Sequence, residues 1–267
     1  MDRAVFFLYA ESQIHAGKGA DVGIVDLPIQ RERTTDFPVI QGIKGSLRNS
    51  GLFKDEEEQI FGSKPKNDET QPGGFAFSEA KILLFPVRSP ERVFVWVTCP
   101  MVLKRFLRSI GKDIEIPEAS DDEKVVAAGG FENIWLEELE FEVINDSKLN
   151  QVIEILSNCG PDEYIQKKIR EKKDVFIISD KIFQKMVETM TEIVPRIRIC
   201  EKTGTVAEGA LWYEEYLPQD TVMYFVVRKL NSNKIDNLTG KINEKIIAIG
   251  GKETVGKGLA WIKKVES

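Results

Sequence analysis

The chain has 267 residues, of which 42% are hydrophobic and 30% are charged, and its formal net charge is −6 at pH 7. This composition supplies enough apolar material for a core in one large domain or two small ones, which argues against disorder. The acidic balance argues against a protein that coats its whole surface with nucleic acid. Three cysteines, at positions 99, 159 and 200, show no CxxC spacing. Their odd number favours a reducing compartment and predicts the cytoplasm.

The first predicted element is a buried strand in AVFFLYA, residues 4–10, followed by a glycine-rich loop. This apolar run is too short to span a membrane, so no export or membrane anchor is predicted. Further on, KGSLRNSGLF predicts a short helix that Gly45 or Ser46 opens and that carries Lys44 and Arg48 near its first turns. A helix N-terminus with basic neighbours is a natural phosphate site.

The middle of the chain alternates strand and helix patterns. Residues 54–74 predict a short acidic helix and a polar loop, and the runs KILLFPVR and RVFVWVTCP predict a hairpin. A helix follows, because Leu103, Phe106, Leu107 and Ile110 recur on one helical face. LEELEFEV, residues 136–143, predicts a half-exposed strand, and SKLNQVIEILSN predicts a helix.

The last third of the chain is predicted to be mostly β. DVFIISD predicts a strand, and KIFQKMVETM predicts a helix capped by Ser179 or Asp180. A long hairpin is expected around Thr203, with Arg196 and Arg198 on one face. The aromatic run WYEEY, residues 212–216, is typical of core, although such an arm could also wedge between bases. Strands joined by hairpins, with a few helices, predict the α+β class.

Charge is segregated along the chain. Residues 28–48 carry four basic side chains against two acidic ones, whereas residues 112–124 carry two basic against six acidic. In DVGIVDLPIQRER, residues 21–33, Asp26 stands among apolar residues just before Arg31 and Arg33. Asp26 could simply pair with one arginine. Alternatively, the arginines hold a phosphodiester while Asp26, directly or through Mg²⁺, helps activate a ribose 2′-hydroxyl.

Two further features have both a functional and a structural interpretation. His15 is the only histidine, and it is either an acid–base group or a hydrogen-bonding partner of its loop. One histidine without paired cysteines argues against a zinc site. GGKETVGKG, residues 250–258, is not a Walker A loop, because Gly258 stands where Ser or Thr must hold magnesium. It predicts a turn whose backbone N–H groups, with Lys252 and Lys257, contact phosphates, or else a plain β-turn.

Five stretches in combination resemble one family: IHAGKG, VDLPIQRERTTDFPVIQGIKGSLR, EIVPRIRICEKTGTV, GALWYEEYLP and IGGKETVGKG. They are similar to the backbone subunits of type III-B CRISPR effectors, the Cmr complexes, whose repeated subunit belongs to the RAMP superfamily. The resemblance runs from about residue 3 to 262 and is weakest over residues 112–175. It implies a single α+β domain over residues 1–267 with a modified RRM-like, ferredoxin-like palm. Insertions are expected at about 54–74 and 112–175, and a β-hairpin thumb at 196–217.

The resemblance also implies a function. Such subunits stack into a filament along a CRISPR RNA, and their thumbs interrupt the guide–target duplex at six-nucleotide intervals, where the target RNA is cut. The expected partners are CRISPR RNA, target RNA, further copies of the chain and other Cmr subunits, with no membrane. The expected cofactor is a loosely bound divalent metal, Mg²⁺, held at Asp26.

Site residues follow from the same resemblance. Asp26 matches the cutting residue of the VDxPIQRE motif, while His15, Glu214 and Glu215 match auxiliary positions. The turn IQGIKGSLR is one residue tighter than the commoner form GxSLKGxLR, and Lys44 lies in it. The predicted RNA-binding residues are Arg31, Arg33, Lys44, Ser46, Arg48, Arg196, Arg198, Gly250, Gly251, Lys252, Gly256, Lys257 and Gly258.

Two alternatives stay open at this point. One is a scaffold that binds the guide RNA without cutting. The other is a metal-independent nuclease that matures CRISPR RNA and uses His15 as its acid–base group.

Overall fold

A computed structural model describes residues 3–21, 23–63, 71–200, 203–230 and 235–266. Its strands are β1 (Arg3–Ala10), β2 (Val39–Ile40), β3 (Phe75–Phe77), β4 (Ala80–Ser89), β5 (Val93–Thr98), β6 (Lys124–Ala127), β7 (Asn133–Leu136), β8 (Leu139–Asn145), β9 (Val175–Ile177), β10 (Glu192–Ile199), β11 (Val206–Tyr216), β12 (Val222–Lys229), β13 (Lys245–Ala248) and β14 (Leu259–Lys264). Its helices are α1 (Ile43–Asn49), α2 (Glu57–Phe61), α3 (Pro100–Ile110), α4 (Leu149–Ser157), α5 (Glu163–Arg170), α6 (Asp180–Thr189) and α7 (Ile235–Ile242).

The centre of the fold is the first strand. β1 lies antiparallel between β12 and β14, with Phe6 opposite Phe225 and Leu8 opposite Ile262. Both faces of β1 are covered, because every residue from Ala4 to Ala10 is buried. This is why its sequence is a continuous apolar run rather than an alternating one. On one face Phe7 packs against Phe106 of α3.

One large sheet contains most of the strands. Its main path is β13–β14–β1–β12–β4–β5–β9–β6–β8–β7, with β2 on β4 and β3 on β12. β5 and β9 are parallel, as are β6 and β8, while the other pairs are antiparallel. The predicted hairpin of β4 and β5 is confirmed. The expected α+β class is likewise confirmed.

A separate two-stranded sheet forms the predicted long hairpin. β10 and β11 pair from Glu192 opposite Tyr216 to Ile199 opposite Val206, with a register shift after Ile197. Many of its apolar side chains are exposed, and Ile197 and Leu211 are half uncovered. The root of this hairpin meets the loop after β1, which determines the geometry of the site described below.

Three local predictions need correction. α1 begins at Ile43 rather than at Gly45 or Ser46, because Ile43 and Leu47 are both fully buried and the Ser46 N–H bonds to the Gly42 carbonyl. Residues 136–143 form a turn and a strand instead of one strand, since Glu137 has a left-handed backbone (φ 54°) between β7 and β8. The helix α5 was not predicted, although Asp162 caps it by accepting the Ile165 N–H.

The predicted polar loop lies partly outside the described residues, at 64–70, and the tip of the hairpin lies partly outside them, at 201–202. In the described part of the chain, no helix has the length and apolarity that crossing a bilayer requires.

Candidate active site and nucleic-acid interface

Asp26 lies on the exposed loop after β1 and is attached to the root of the β10–β11 hairpin. Its Oδ2 accepts the backbone N–H of Tyr213 at 2.7 Å. The next residue, Leu27, donates its N–H to the Tyr213 carbonyl and accepts the Glu215 N–H, at 3.1 and 3.0 Å. The loop therefore pairs with β11 through a single parallel bridge between Leu27 and Glu214. The other carboxylate oxygen, Oδ1, has no hydrogen-bond partner among the described residues, so it is available to a ligand.

The buried ring of His15 lies against the same strand, β11. Its Nδ1 lies 2.7 Å from the Glu215 carbonyl oxygen, and since a carbonyl only accepts, Nδ1 carries the proton. Its backbone carbonyl accepts the Gly251 N–H at 2.9 Å. A Cβ at Gly17 would come within 2.7 Å of the ring Nε2, so a glycine is needed there. Because Tyr213 and Glu215 are two residues apart on β11, the attachment points of Asp26 and His15 are about 7 Å apart.

Glu214 is a fully buried carboxylate at the centre of a hydrogen-bond network. Its Oε1 accepts Lys252 Nζ at 2.6 Å and Trp212 Nε1 at 2.8 Å. Its Oε2 accepts Arg196 Nε at 3.1 Å and the Tyr216 hydroxyl. Glu214 thus joins the hairpin to the glycine-rich turn that contains Lys252.

Burial disfavours the ionised form of Glu214, but the hydrogen bonds that it accepts outweigh this penalty and lower its pKa from 4.5 to about 2. A carboxyl whose pKa is lower in the folded chain contributes stability above pH 4.5, and that contribution is lost as the pH falls toward 2. We therefore expect Glu214→Gln to be less stable than the parent at pH 6 and to lose less of its unfolding free energy between pH 5 and pH 3. Urea titrations at the three pH values measure this, with the exposed Glu208→Gln as control. Equal losses of unfolding free energy in the parent, Glu214→Gln and Glu208→Gln would contradict the expectation.

The Glu215 side chain points to the opposite face of β11 from that of Glu214, and it binds the segment that contains Arg31. Its Oε1 accepts Arg31 at 2.5 Å and the Thr191 hydroxyl at 2.8 Å, and its Oε2 accepts the Ile29 N–H at 3.0 Å. Arg31 also donates to the Val187 carbonyl at 3.0 Å and to a second carbonyl within its own loop. The guanidinium of Arg31 is therefore engaged within the chain.

A groove of about 700 Å³ borders His15 and contains two of the four glycines predicted to bind RNA, Gly250 and Gly251. Gly42, Gly45 and Ser46 of the α1 region form one wall, and Gly250 and Gly251 form the other. A Cβ at Gly42 or Gly45 would meet nothing within 4 Å, so their backbone is open to a ligand. Gly250 is constrained instead, because its φ is +80° and a Cβ would approach the His15 carbonyl to 2.4 Å.

The predicted basic residues fall into two groups. Arg33, Lys44 and Arg198 are exposed and form no ion pair with a described residue. The others are engaged within the chain: Arg31 with Glu215, Arg48 with Glu57 and the Gly62 carbonyl, Arg196 and Lys252 with Glu214, and Lys257 with Gln13. Gly256 and Gly258 have left-handed backbones that shape the turn. Arg196 pairs directly with Glu214, whereas Arg198 of the same strand is exposed.

Sequence patterns missed several contacts in this site. The Tyr213 N–H that holds Asp26 is a backbone donor, which leaves no residue signature. Thr191 and Gln13 are ordinary polar residues whose roles arise only from distant packing. Glu214 and Glu215 bind different partners because adjacent strand residues point to opposite faces.

A metal ion would find a sparse set of protein ligands here. Within the described residues, no cluster of three or more His, Cys, Asp or Glu side chains has the spacing to hold one. Mg²⁺ is commonly held by one or two carboxylates together with substrate phosphates and water. The unpartnered Oδ1 of Asp26 fits that pattern, provided that the other ligands come from bound RNA.

The chain matches the model of the RAMP superfamily over residues 7–261. It belongs to the RAMP superfamily. This RAMP chain is 41% identical over 277 aligned positions to the CRISPR system Cmr endoribonuclease Cmr4 of Pyrococcus furiosus, covering 96% of this chain and 93% of that protein. The family assignment predicted from the sequence is thereby confirmed.

Solved structures agree with this assignment. The crystal structure of oligomeric Cmr4 from Pyrococcus furiosus superposes with a TM-score of 0.76 at 31% identity and covers 100% of this RAMP chain and 99% of its own. A chain of the type III-B Cmr-beta cryo-EM structure bound to cognate target RNA also gives a TM-score of 0.76, covering 98% of this chain and 97% of its own. Its identity is 23%, so that likeness is one of fold.

Proposed function

We propose that the chain is the RNA-guided endoribonuclease subunit of a Cmr-type complex and that Asp26 carries the cleavage. The observation that carries the proposal is the geometry of Asp26: one carboxylate oxygen is tied to the hairpin root and the other is open to solvent. The 41% identity to a protein named as a Cmr endoribonuclease supports the same activity.

The proposed palm and thumb rest on the topology. The strand order β14–β1–β12–β4, with α1 between β1 and β4 and α7 between β12 and β14, supports an RRM-like, ferredoxin-like palm. The β10–β11 hairpin supports a thumb, because its exposed apolar side chains are suited to packing against bases. These features, with the crystal structure described as oligomeric Cmr4, support a filament of copies that binds CRISPR RNA, target RNA and other Cmr subunits.

The proposed reaction is attack of a ribose 2′-hydroxyl on the adjacent phosphorus. The 2′-oxygen forms a bond to phosphorus, the bond to the 5′-oxygen breaks, and the products are a 2′,3′-cyclic phosphate and a 5′-hydroxyl. Asp26 would accept the proton of the 2′-hydroxyl at Oδ1, either directly or through a water molecule on a divalent ion that Oδ1 holds, and a second water molecule would protonate the leaving 5′-oxygen. The Tyr213 N–H engages Oδ2, which leaves Oδ1 for the bound strand. A divalent ion held by Asp26 and RNA phosphates would stabilise charge on the phosphoryl group.

Binding of the guide is proposed for the groove that contains His15. Its open glycine backbone allows close approach of a phosphate chain. Lys44, which lies in sequence between the lining residues Gly42 and Gly45, supplies a cation without an ion-pair partner among the described residues. The buried His15 ring has its Nδ1–H committed to the Glu215 carbonyl, so we propose that it shapes this groove rather than transferring protons.

A target strand with a single 2′-deoxyribose tests the chemistry. The assembled complex should leave the linkage after that sugar uncut, because the nucleophile is missing, and should still cut neighbouring sites at their regular spacing. Denaturing gels of labelled target measure both outcomes. Cutting at the substituted linkage would refute 2′-hydroxyl attack.

Chelation separates the alternatives. With EDTA, target cutting should stop while guide binding persists. Cutting of repeat RNA that survives EDTA and is lost in His15→Ala would instead support a maturation nuclease. Binding without any cutting, with Mg²⁺ or Mn²⁺ present, would support a scaffold.

A further inference from the structure

A second concave site, which we call the arginine pocket, lies where the C-terminal half of α3 faces β1 and β12. It encloses about 730 Å³, with Tyr224 and Val226 of β12 among its lining residues. Six cationic side chains line it: Arg3, Arg31, Arg33, Lys81, Arg105 and Arg108. The lining also contains Glu32 and Glu79, and Arg31 is paired with Glu215 outside it, which leaves a surplus of three positive charges in a chain whose net charge is −6.

Three of these cations have no carboxylate of their own. Glu32 binds Arg105 at 2.8 Å and Lys81 at 3.2 Å, so it is already shared. Arg31 is paired with Glu215. By contrast, the pocket's three remaining arginines are exposed and form no ion pair with any described residue: Arg3, Arg33 and Arg108. Unpaired guanidinium groups that line one concave surface concentrate positive potential there.

The arginine pocket adjoins the proposed cleavage site along the chain. Gln30 lines the groove that contains His15, whereas the next residue, Arg31, lines the arginine pocket. The segment after Asp26 therefore runs between the two. Asp26 and Arg31 are five residues apart, so at most about 17 Å of extended chain separates them. A polymer bound at Asp26 can reach the pocket.

We propose that the arginine pocket binds backbone phosphates of RNA, as an anchor distinct from the groove that contains His15. The inference rests on the proposed function, because it takes the strand that passes Asp26 as its ligand. Guanidinium groups donate paired N–H bonds that match phosphate oxygens, and phosphate contacts form the larger share of nucleic-acid hydrogen bonds. The pocket offers three such groups with their charges unpaired.

The charge pattern favours RNA over an acidic segment of a second copy. Residues 112–124 are one acidic candidate within the chain, but several of their carboxylates are already paired. Glu115 binds Lys148, Glu118 binds Lys104, and Asp122 binds Lys181, at 2.8, 2.5 and 2.7 Å. Docking that segment into a neighbour would require these pairs to open.

The test is the salt dependence of RNA binding by the full chain in its assembled complex. Each phosphate contact contributes about 0.7 to the slope of log affinity against log salt for a single strand. The double variant Arg3→Gln/Arg108→Gln should therefore lower that slope by about 1.4. The charge-matched control, Lys104→Gln/Lys185→Gln, changes two exposed lysines outside the pocket and should leave the slope unchanged.

Two arms identify which strand occupies the pocket. Labelled guide RNA is titrated alone in the first arm, and labelled target RNA is titrated after the guide has been bound in the second. A lower slope in either arm supports the proposal and names the strand. Unchanged slopes in both arms would overturn it.

A change in self-association on sizing, with both RNA slopes unchanged, would also overturn the proposal and would assign the pocket to a contact between copies. Failure of the proposed function has a different readout, since it would appear as target cutting that survives in Asp26→Asn. The two failures are therefore distinguishable.

Discussion

Replacing Asp26 with asparagine is expected to reduce target-RNA cleavage by about 10²-fold or more, because a positioned acid–base group typically contributes 10²–10⁴-fold. The asparagine side-chain oxygen can still accept the Tyr213 N–H that Asp26 accepts at 2.7 Å. The loop should therefore keep its place on β11 while the negative charge is removed. Single-turnover cleavage of labelled target by the assembled complex measures the loss, and guide binding should stay within about twofold.

Two further variants make this test specific. Asp21→Asn removes another exposed carboxylate of the same loop, one that pairs with Lys18, and should cut at the parental rate. Asp26→Ala also removes the attachment to Tyr213, so any additional loss relative to Asp26→Asn measures the value of that hydrogen bond. Parental cleavage by Asp26→Asn would show that another group performs the chemistry.

Much of the fold could be predicted from local patterns. The apolar run of β1, the apolar stripe of α3 and the long β10–β11 hairpin can each be predicted from residues that are neighbours in the sequence. The structure contains all three. α1 was displaced by two or three residues because a glycine–serine start suggested a cap, whereas burial of Ile43 sets its beginning. The short elements of residues 112–175 have weaker hydrophobic periodicity, and α5, which lies there, was not predicted from the sequence.

The site was less predictable, because its contacts join residues far apart in sequence. Local pattern singled out Asp26 as a carboxylate just before Arg31 and Arg33, and the structure has it on an exposed loop. It could not reveal that Arg31 is committed to Glu215, 184 positions away, or that Lys252 is committed to Glu214. The sequence shows a basic residue near a motif in the same way whether its charge is free or is neutralised by an ion pair in the folded chain. Only packing distinguishes Arg33, which is exposed, from Arg31.

This distinction leads to the second large expected effect, in Arg31→Ala. The Arg31 side chain is 19% exposed and that of Glu215 7%, so removing the guanidinium leaves a buried carboxylate without its cation. Breaking a buried pair from one side typically costs 3–5 kcal/mol, and we expect a loss of about 3 kcal/mol in the free energy of unfolding. Urea denaturation followed by circular dichroism measures it. Arg33→Ala, two residues away and exposed, should change stability by less than about 0.5 kcal/mol.

A double variant tests whether the loss of stability in Arg31→Ala comes from leaving the Glu215 carboxylate without its cation. In Arg31→Ala/Glu215→Gln the carboxylate is neutral, while the amide can still bond to Thr191 and accept the Ile29 N–H. We therefore expect the double variant to be more stable than Arg31→Ala alone, because the uncompensated charge is gone. Strictly additive losses would show that Arg31 stabilises the hairpin root through its bonds to the Asp36 and Val187 carbonyls instead. In either case the segment that carries Asp26 owes its position to a contact with β11, so hairpin stability and cleavage geometry are properties of one connected structure.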